Sequence, residues 1–135
     1  MGSEPDPDRG VVFFFDRSVG KAVPTALRQV GVAVEIHDDL YGSAVVPDEQ
    51  WIREATERGS VLVTRDRRIR RRPAERGLAV EMGARMFVLG GNATRLAMLR
   101  ALMIAWEEIR LVCEAEAPPF IYTVTSRGSL VRLHG

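Results

Sequence analysis

The chain has 135 residues, the length of one domain, and 46% of them are apolar, enough for an ordinary buried core. A net charge of +1 by itself says nothing about partners, so the placement of charge has to carry the argument. Cys113 is the only cysteine, which excludes an intrachain disulfide and fits a reducing, cytoplasmic setting.

Residues 1–9 contain no apolar run, read as a disordered tail, and lack the features of a signal peptide. Val11 to Phe15 is an apolar run closed by Asp16, the pattern of a strand buried on both faces. Ser18 is a suitable cap for a helix over about 19–30, whose apolar side is Val19, Val23, Ala26, Leu27 and Val30. Pro24 implies that this helix starts late or kinks, and Gly31 stops it. Val32 to Ile36 reads as a second strand, followed by His37-Asp38-Asp39 and a loop at Tyr41-Gly42-Ser43. Pro47-Asp48-Glu49 opens a helix that ends at Gly59. Trp51, Ile52 and Ala55 form its apolar side; Asp48 shares that stripe, whereas Glu49 lines up with Arg53 and faces outward.

Val61 to Thr64 is a third strand, and Asp66 follows it. The order strand, helix, strand, helix, strand implies right-handed crossovers and an α/β fold. Arg65, Arg67, Arg68, Arg70, Arg71, Arg72 and Arg76 make the next stretch basic. Met86 to Leu89 is a fourth strand, and Gly90-Gly91 breaks it. Asn92 or Thr94 then caps a long helix to about Ala117, which its charged residues mark as no membrane span. Phe120 to Val124 and Ser129 to Leu133 suggest a terminal hairpin around Arg127-Gly128.

Two buried strands that each finish in an aspartate need a cause. Ligands of open parallel sheets bind outside the carboxyl ends of the strands, and there Asp16 and Asp66 would meet. Close carboxylates repel unless a cation or a proton neutralises them, and an oxygen-rich cluster suits a hard ion such as Mg²⁺. Helix capping is the plainer explanation of each aspartate singly; the pair, with an inward Asp48, favours a site. Asp38 and Asp39 read as solvated loop residues or as support for it. The arginines form either a solvated face or a track for a phosphate backbone. His37 and His134 are isolated, Cys113 sits in an apolar helix, and Ser18-Val19-Gly20-Lys21 fails the P-loop pattern.

Phe15-Asp16, Leu27 to Val32, Pro47-Asp48-Glu49 and Val61 to Asp66, in that order, resemble the PIN-like nuclease families, and most closely the VapC-like toxins among them. The resemblance spans roughly residues 11–90. It implies a three-layer α/β/α domain over residues 10–135 with a mainly parallel central sheet, and a metal-dependent endoribonuclease, often the toxin of a type II toxin–antitoxin pair. It assigns the catalytic and metal-holding role, for Mg²⁺ or Mn²⁺, to Asp16, Asp48 and Asp66, with Glu49 as the alternative to Asp48. The RNA track would be Arg65, Arg67, Arg68, Arg70, Arg71 and Arg72. Many relatives carry a second aspartate two positions beyond the third, where this chain has Arg68; the site then has fewer carboxylates, or Asp38 or Asp39 contributes.

The expected partners are an RNA substrate, a cognate antitoxin protein and a second copy of the chain, with no membrane. The rival class is a PIN-like module without catalysis that binds protein or RNA, which Arg68 favours. A phospho-accepting receiver domain is disfavoured, because Asp16 stands alone at the first strand and the only lysine, Lys21, comes too early.

Overall fold

The computed structural model describes residues 10–91 and 94–134. The expected tail at 1–9 and the alternative cap Asn92 lie outside the described residues. Among the described residues the strands are β1 (Phe13–Phe15), β2 (Val34–Ile36), β3 (Val61–Thr64), β4 (Arg85–Leu89), β5 (Phe120–Val124) and β6 (Leu130–His134). They form one sheet in the order β2-β1-β3-β4-β5-β6. Every neighbouring pair is parallel except β5 and β6, which make the terminal hairpin. The α/β class and the mainly parallel sheet are as the sequence predicts.

Side chains alternate across the sheet, and each face is covered by helices. Phe13 and Phe15, Val61 and Val63, Phe87 and Leu89, and Phe120 and Tyr122 pack with α1 (Ala22–Gln29) and α6 (Arg95–Ala115). Phe14, Leu62, Met86, Val88 and Ile121 pack with residues of α3 (Asp48–Glu57), α4 (Arg67–Arg71) and α5 (Pro73–Glu81). Both faces are therefore apolar, which is why the strands read as unbroken apolar runs rather than alternating ones.

Several expectations need correction. The first helix begins at Ala22, after a 3-10 turn at Arg17–Val19. Pro24 lies in its first turn, where a missing N–H forfeits no helical bond; the first bond runs from the Thr25 N–H to the Lys21 carbonyl. Ser18 does not cap this helix; Lys21 holds the capping position with no side-chain bond, and the Ser18 hydroxyl is used elsewhere. Residues 37–41, expected as strand end and loop, are a one-turn helix, α2 (His37–Tyr41), with His37 buried. The basic stretch is two helices: α4, anchored in the core by the buried Ile69, and α5, with Pro73 at its start.

Thr94 does cap α6, accepting a hydrogen bond from the Ala97 N–H at 3.1 Å. The hairpin turn docks on α6 so closely that only glycine fits: Gly128 has φ +79°, and a Cβ there would lie 2.6 Å from the Ile104 Cβ.

Candidate functional site

The sheet order places the site. The chain leaves β1, adds β2 on one side, then crosses back to add β3 on the other. Strand order thus reverses between β1 and β3, and a crevice opens outside their carboxyl ends. Asp16 directly follows β1 and Asp66 lies two residues beyond β3, so both stand at that crevice. The Asp16 N–H donates to the Val63 carbonyl at 2.9 Å, carrying the ladder up to the acid itself.

Asp16 is 8% exposed, and its Oδ2 accepts from the Ser18 hydroxyl at 2.7 Å and the Thr64 hydroxyl at 3.0 Å. These two hydroxyls also accept backbone donors: Thr64 from the Asp66 N–H at 3.1 Å, and Ser18 from the Arg65 N–H at 2.9 Å. One hydroxyl, Thr64, therefore couples the positions of Asp16 and Asp66. Asp66 caps α4, accepting from the Arg68 N–H at 2.9 Å. Asp48 is the first residue of α3, and its Oδ1 accepts from the indole N–H of the buried Trp51 at 3.0 Å.

Arg68 joins the remaining pair. Its Nη2 donates to Asp66 Oδ2 at 2.9 Å and to Asp48 Oδ2 at 3.1 Å, while its Nε donates to Asp66 Oδ1 at 3.2 Å. Burial pushes the Asp66 carboxyl up, but the Arg68 side chain, the Arg68 N–H and the charge of Arg72 together hold it below the usual carboxylate range. The Arg68 guanidinium is raised by the same contacts. Among the described residues no three His, Cys, Asp or Glu side chains are gathered so that they hold an ion between them. The donor chemistry, carboxylate oxygens at one sheet end, fits a hard divalent ion. The cation that the Asp48 and Asp66 oxygens face as they stand is Arg68, with 54% of its side chain exposed.

The other candidates lie apart. Glu49 is on the outer side of α3, paired with Arg53 at 2.5 Å. Asp38 serves the fold: Arg17 donates to it at 2.8 Å and also reaches the carbonyls of Gly42 and Ala44, and the Arg17 bond holds the Asp38 carboxyl low. Asp39 lies 4.0 Å from Lys21 and 3.9 Å from Arg28. Arg67, Arg71 and Arg72 are exposed. Arg70 reaches back towards Gly90, and Arg76 donates to the carbonyl of Arg70 at 2.7 Å, tying α4 to α5. Ser18, Thr64 and Trp51 are supporting residues that the sequence reading passed over. The signal was present, since Ser18 and Thr64 each sit two residues from a candidate aspartate.

A cavity of about 150 Å³ opens far from these acids, at the amino end of β1, lined by Val11, Phe13, Val32, Trp106 and Cys113. Burial pushes the Cys113 thiol up to about 11, which favours its protonated form near neutral pH. No helix among the described residues is long and apolar enough to cross a membrane.

A family model described as a PIN-like domain matches residues 11–91, which span β1 to β4 and all three aspartates. No curated protein and no solved structure matches the chain. With the family model covering over half of its length, the chain belongs to the PIN-like domain family.

Proposed function

We propose that the chain is a metal-dependent endoribonuclease and the toxin of a type II toxin–antitoxin pair, with residues 10–135 acting as one PIN-like unit. Membership of the PIN-like family supports nuclease-type action on nucleic acid. The observation that carries the reading is that the Thr64 hydroxyl at the strand-order reversal donates to Asp16 and accepts from the Asp66 N–H, with Asp48 linked to Asp66 through Arg68. Asp16, Asp48 and Asp66 would hold Mg²⁺ or Mn²⁺, which supplies an activated water and stabilises the leaving oxygen.

The protein's own contribution is positioning. Ser18 and Thr64 fix Asp16, Trp51 fixes Asp48, and the α4 backbone fixes Asp66. Arg67, Arg71 and Arg72 hold the phosphate backbone. Changing these three to Ala is expected to weaken RNA binding and to lower the slope of log K against log salt by about 2, at roughly 0.7 per lost contact to a single strand. Binding titrations across a salt series read this out, and an unchanged slope would show a merely solvated face.

Arg68 bears on the metal. Exposed ion pairs are weak and screened by salt, so its guanidinium competes for the carboxylates without excluding a divalent ion. Arg68→Ala is expected to tighten Mn²⁺ binding on the order of tenfold, as one cation and its competition are removed. Isothermal titration of Mn²⁺ checks this; equal affinity in both proteins would mean that Arg68 and the ion do not share oxygens.

The test of the function is RNA cleavage in Mn²⁺ or Mg²⁺ that stops in EDTA, together with growth arrest when the chain is expressed alone. The second reading, a PIN-like module that binds RNA or protein without cutting, is favoured by the same Arg68 bridge. It requires RNA binding with no cleavage at any concentration of either ion, and a melting temperature that Mn²⁺ leaves unmoved.

A further inference from the structure

Helix α6 buries Met98, Ala101, Leu102, Ala105, Ile109 and Cys113 against the sheet. Its opposite side leaves large apolar groups in water: Leu96 is 66% exposed, Met103 63%, Ile104 60% and Leu111 60%. With 3.6 residues per turn, these four and the exposed Arg100 and Glu107 fall within about 100° of arc, a single stripe about 22 Å long.

The stripe reads the same in both directions. Leu96 and Leu111, Arg100 and Glu107, and Met103 and Ile104 are each equidistant from the midpoint between Met103 and Ile104. A two-fold axis through that midpoint sets leucine level with leucine, Met103 level with Ile104, and positive Arg100 level with negative Glu107. Parallel pairing would oppose Arg100 to Arg100 and align the two helix dipoles unfavourably. Among the described residues Arg100 has no ion pair, and Glu107, 81% exposed, has only a long contact to Arg110 at 3.5 Å. A membrane-lying helix would flank such a stripe with basic residues; this one carries Glu107 within it and Glu108 and Glu114 exposed nearby.

We propose that this stripe is the isologous interface of a homodimer, in which two α6 helices pack antiparallel. Leu96 rests on the partner's Leu111, Met103 on the partner's Ile104, and Arg100 pairs with the partner's Glu107, each contact made twice. The turn at Gly128, which packs on Ile104 from the side, holds that residue in the stripe. The contact is short, so dissociation in the micromolar range is expected.

Sedimentation analysis of the full chain tests the proposal. Wild type at about 100 µM is expected to sediment at twice its mass of 15.0 kDa. Arg100→Glu and Glu107→Arg each place like charges opposite one another and are expected to be monomers that melt like wild type at concentrations below the dimer's dissociation constant, since both positions are exposed. Mixing the two monomeric variants is expected to restore a dimer, because each stripe then meets its opposite charge, and the double variant is expected to dimerise like wild type. A wild-type protein that stays at 15.0 kDa leaves the stripe to a different partner and overturns the proposal. Single variants that stay dimeric, or a mixture that stays monomeric, overturn it as well.

Discussion

Asp16→Asn and Asp66→Asn are each expected to lower RNA cleavage by on the order of 10²–10³-fold, because each removes a charge from the proposed cation site. The fold should hold. Asn at 16 keeps an oxygen that accepts from Ser18 and Thr64, and Asn at 66 is as good a helix cap as Asp. Losing the Arg68 pair at Asp66 costs little, since that arginine is largely solvated. Single-turnover cleavage measures the first effect. Thermal melting with and without Mn²⁺ measures the second: wild type gains stability from an ion that binds only the folded state, and the variants gain none. Glu49→Gln should cleave like wild type, because Glu49 is engaged with Arg53 on the outer face. Wild-type cleavage by both aspartate variants would place the chemistry elsewhere.

How much of this was legible in the sequence depended on how local the cause was. The apolar runs ending in Asp16 and near Asp66 announced buried strands, and Pro47 and Thr94 announced helix starts, because each signal acts within a few residues. The strand order was not legible, since placing β1 between β2 and β3 is a property of crossovers rather than of any segment. Helices α4 and α5 were hidden by their own charge. Seven arginines read as a solvated face or a phosphate track, although Ile69, Pro73, Leu78 and Ala79 carried the helical signal beneath them. The Arg68 bridge was out of reach for a different reason: it depends on α4 aiming a side chain at the start of α3, twenty residues away. The identity of Arg68 was visible as a departure from the expected aspartate, but its engagement with Asp48 and Asp66 required tertiary structure.

Trp51→Ala is expected to destabilise the fold by about 3–5 kcal/mol, the usual cost of emptying a buried aromatic site. Trp51 is 1% exposed and stacks on Phe14 with ring centroids 5.5 Å apart and planes 19° apart. Phe14 is the β1 residue that points to this side of the sheet, so the pair fastens α3 to the strand that ends in Asp16. A domain of this size has a total stability of roughly 5–15 kcal/mol, so the variant should be close to unfolding. Urea denaturation gives the value, and a loss below about 1 kcal/mol would show that Trp51 does not anchor α3. Trp51→Phe separates packing from orientation. It keeps a ring against Phe14 and should cost less than the alanine change, but it removes the N–H that holds Asp48 Oδ1 at 3.0 Å. With that donor gone, Asp48 is free to turn toward water or wholly onto Arg68. Cleavage by Trp51→Phe should therefore fall even at temperatures where the protein is fully folded, and Mn²⁺ affinity should fall with it. Activity that merely tracks the folded fraction would make Trp51 a packing residue alone, and would leave Asp48 positioned by its place at the start of α3.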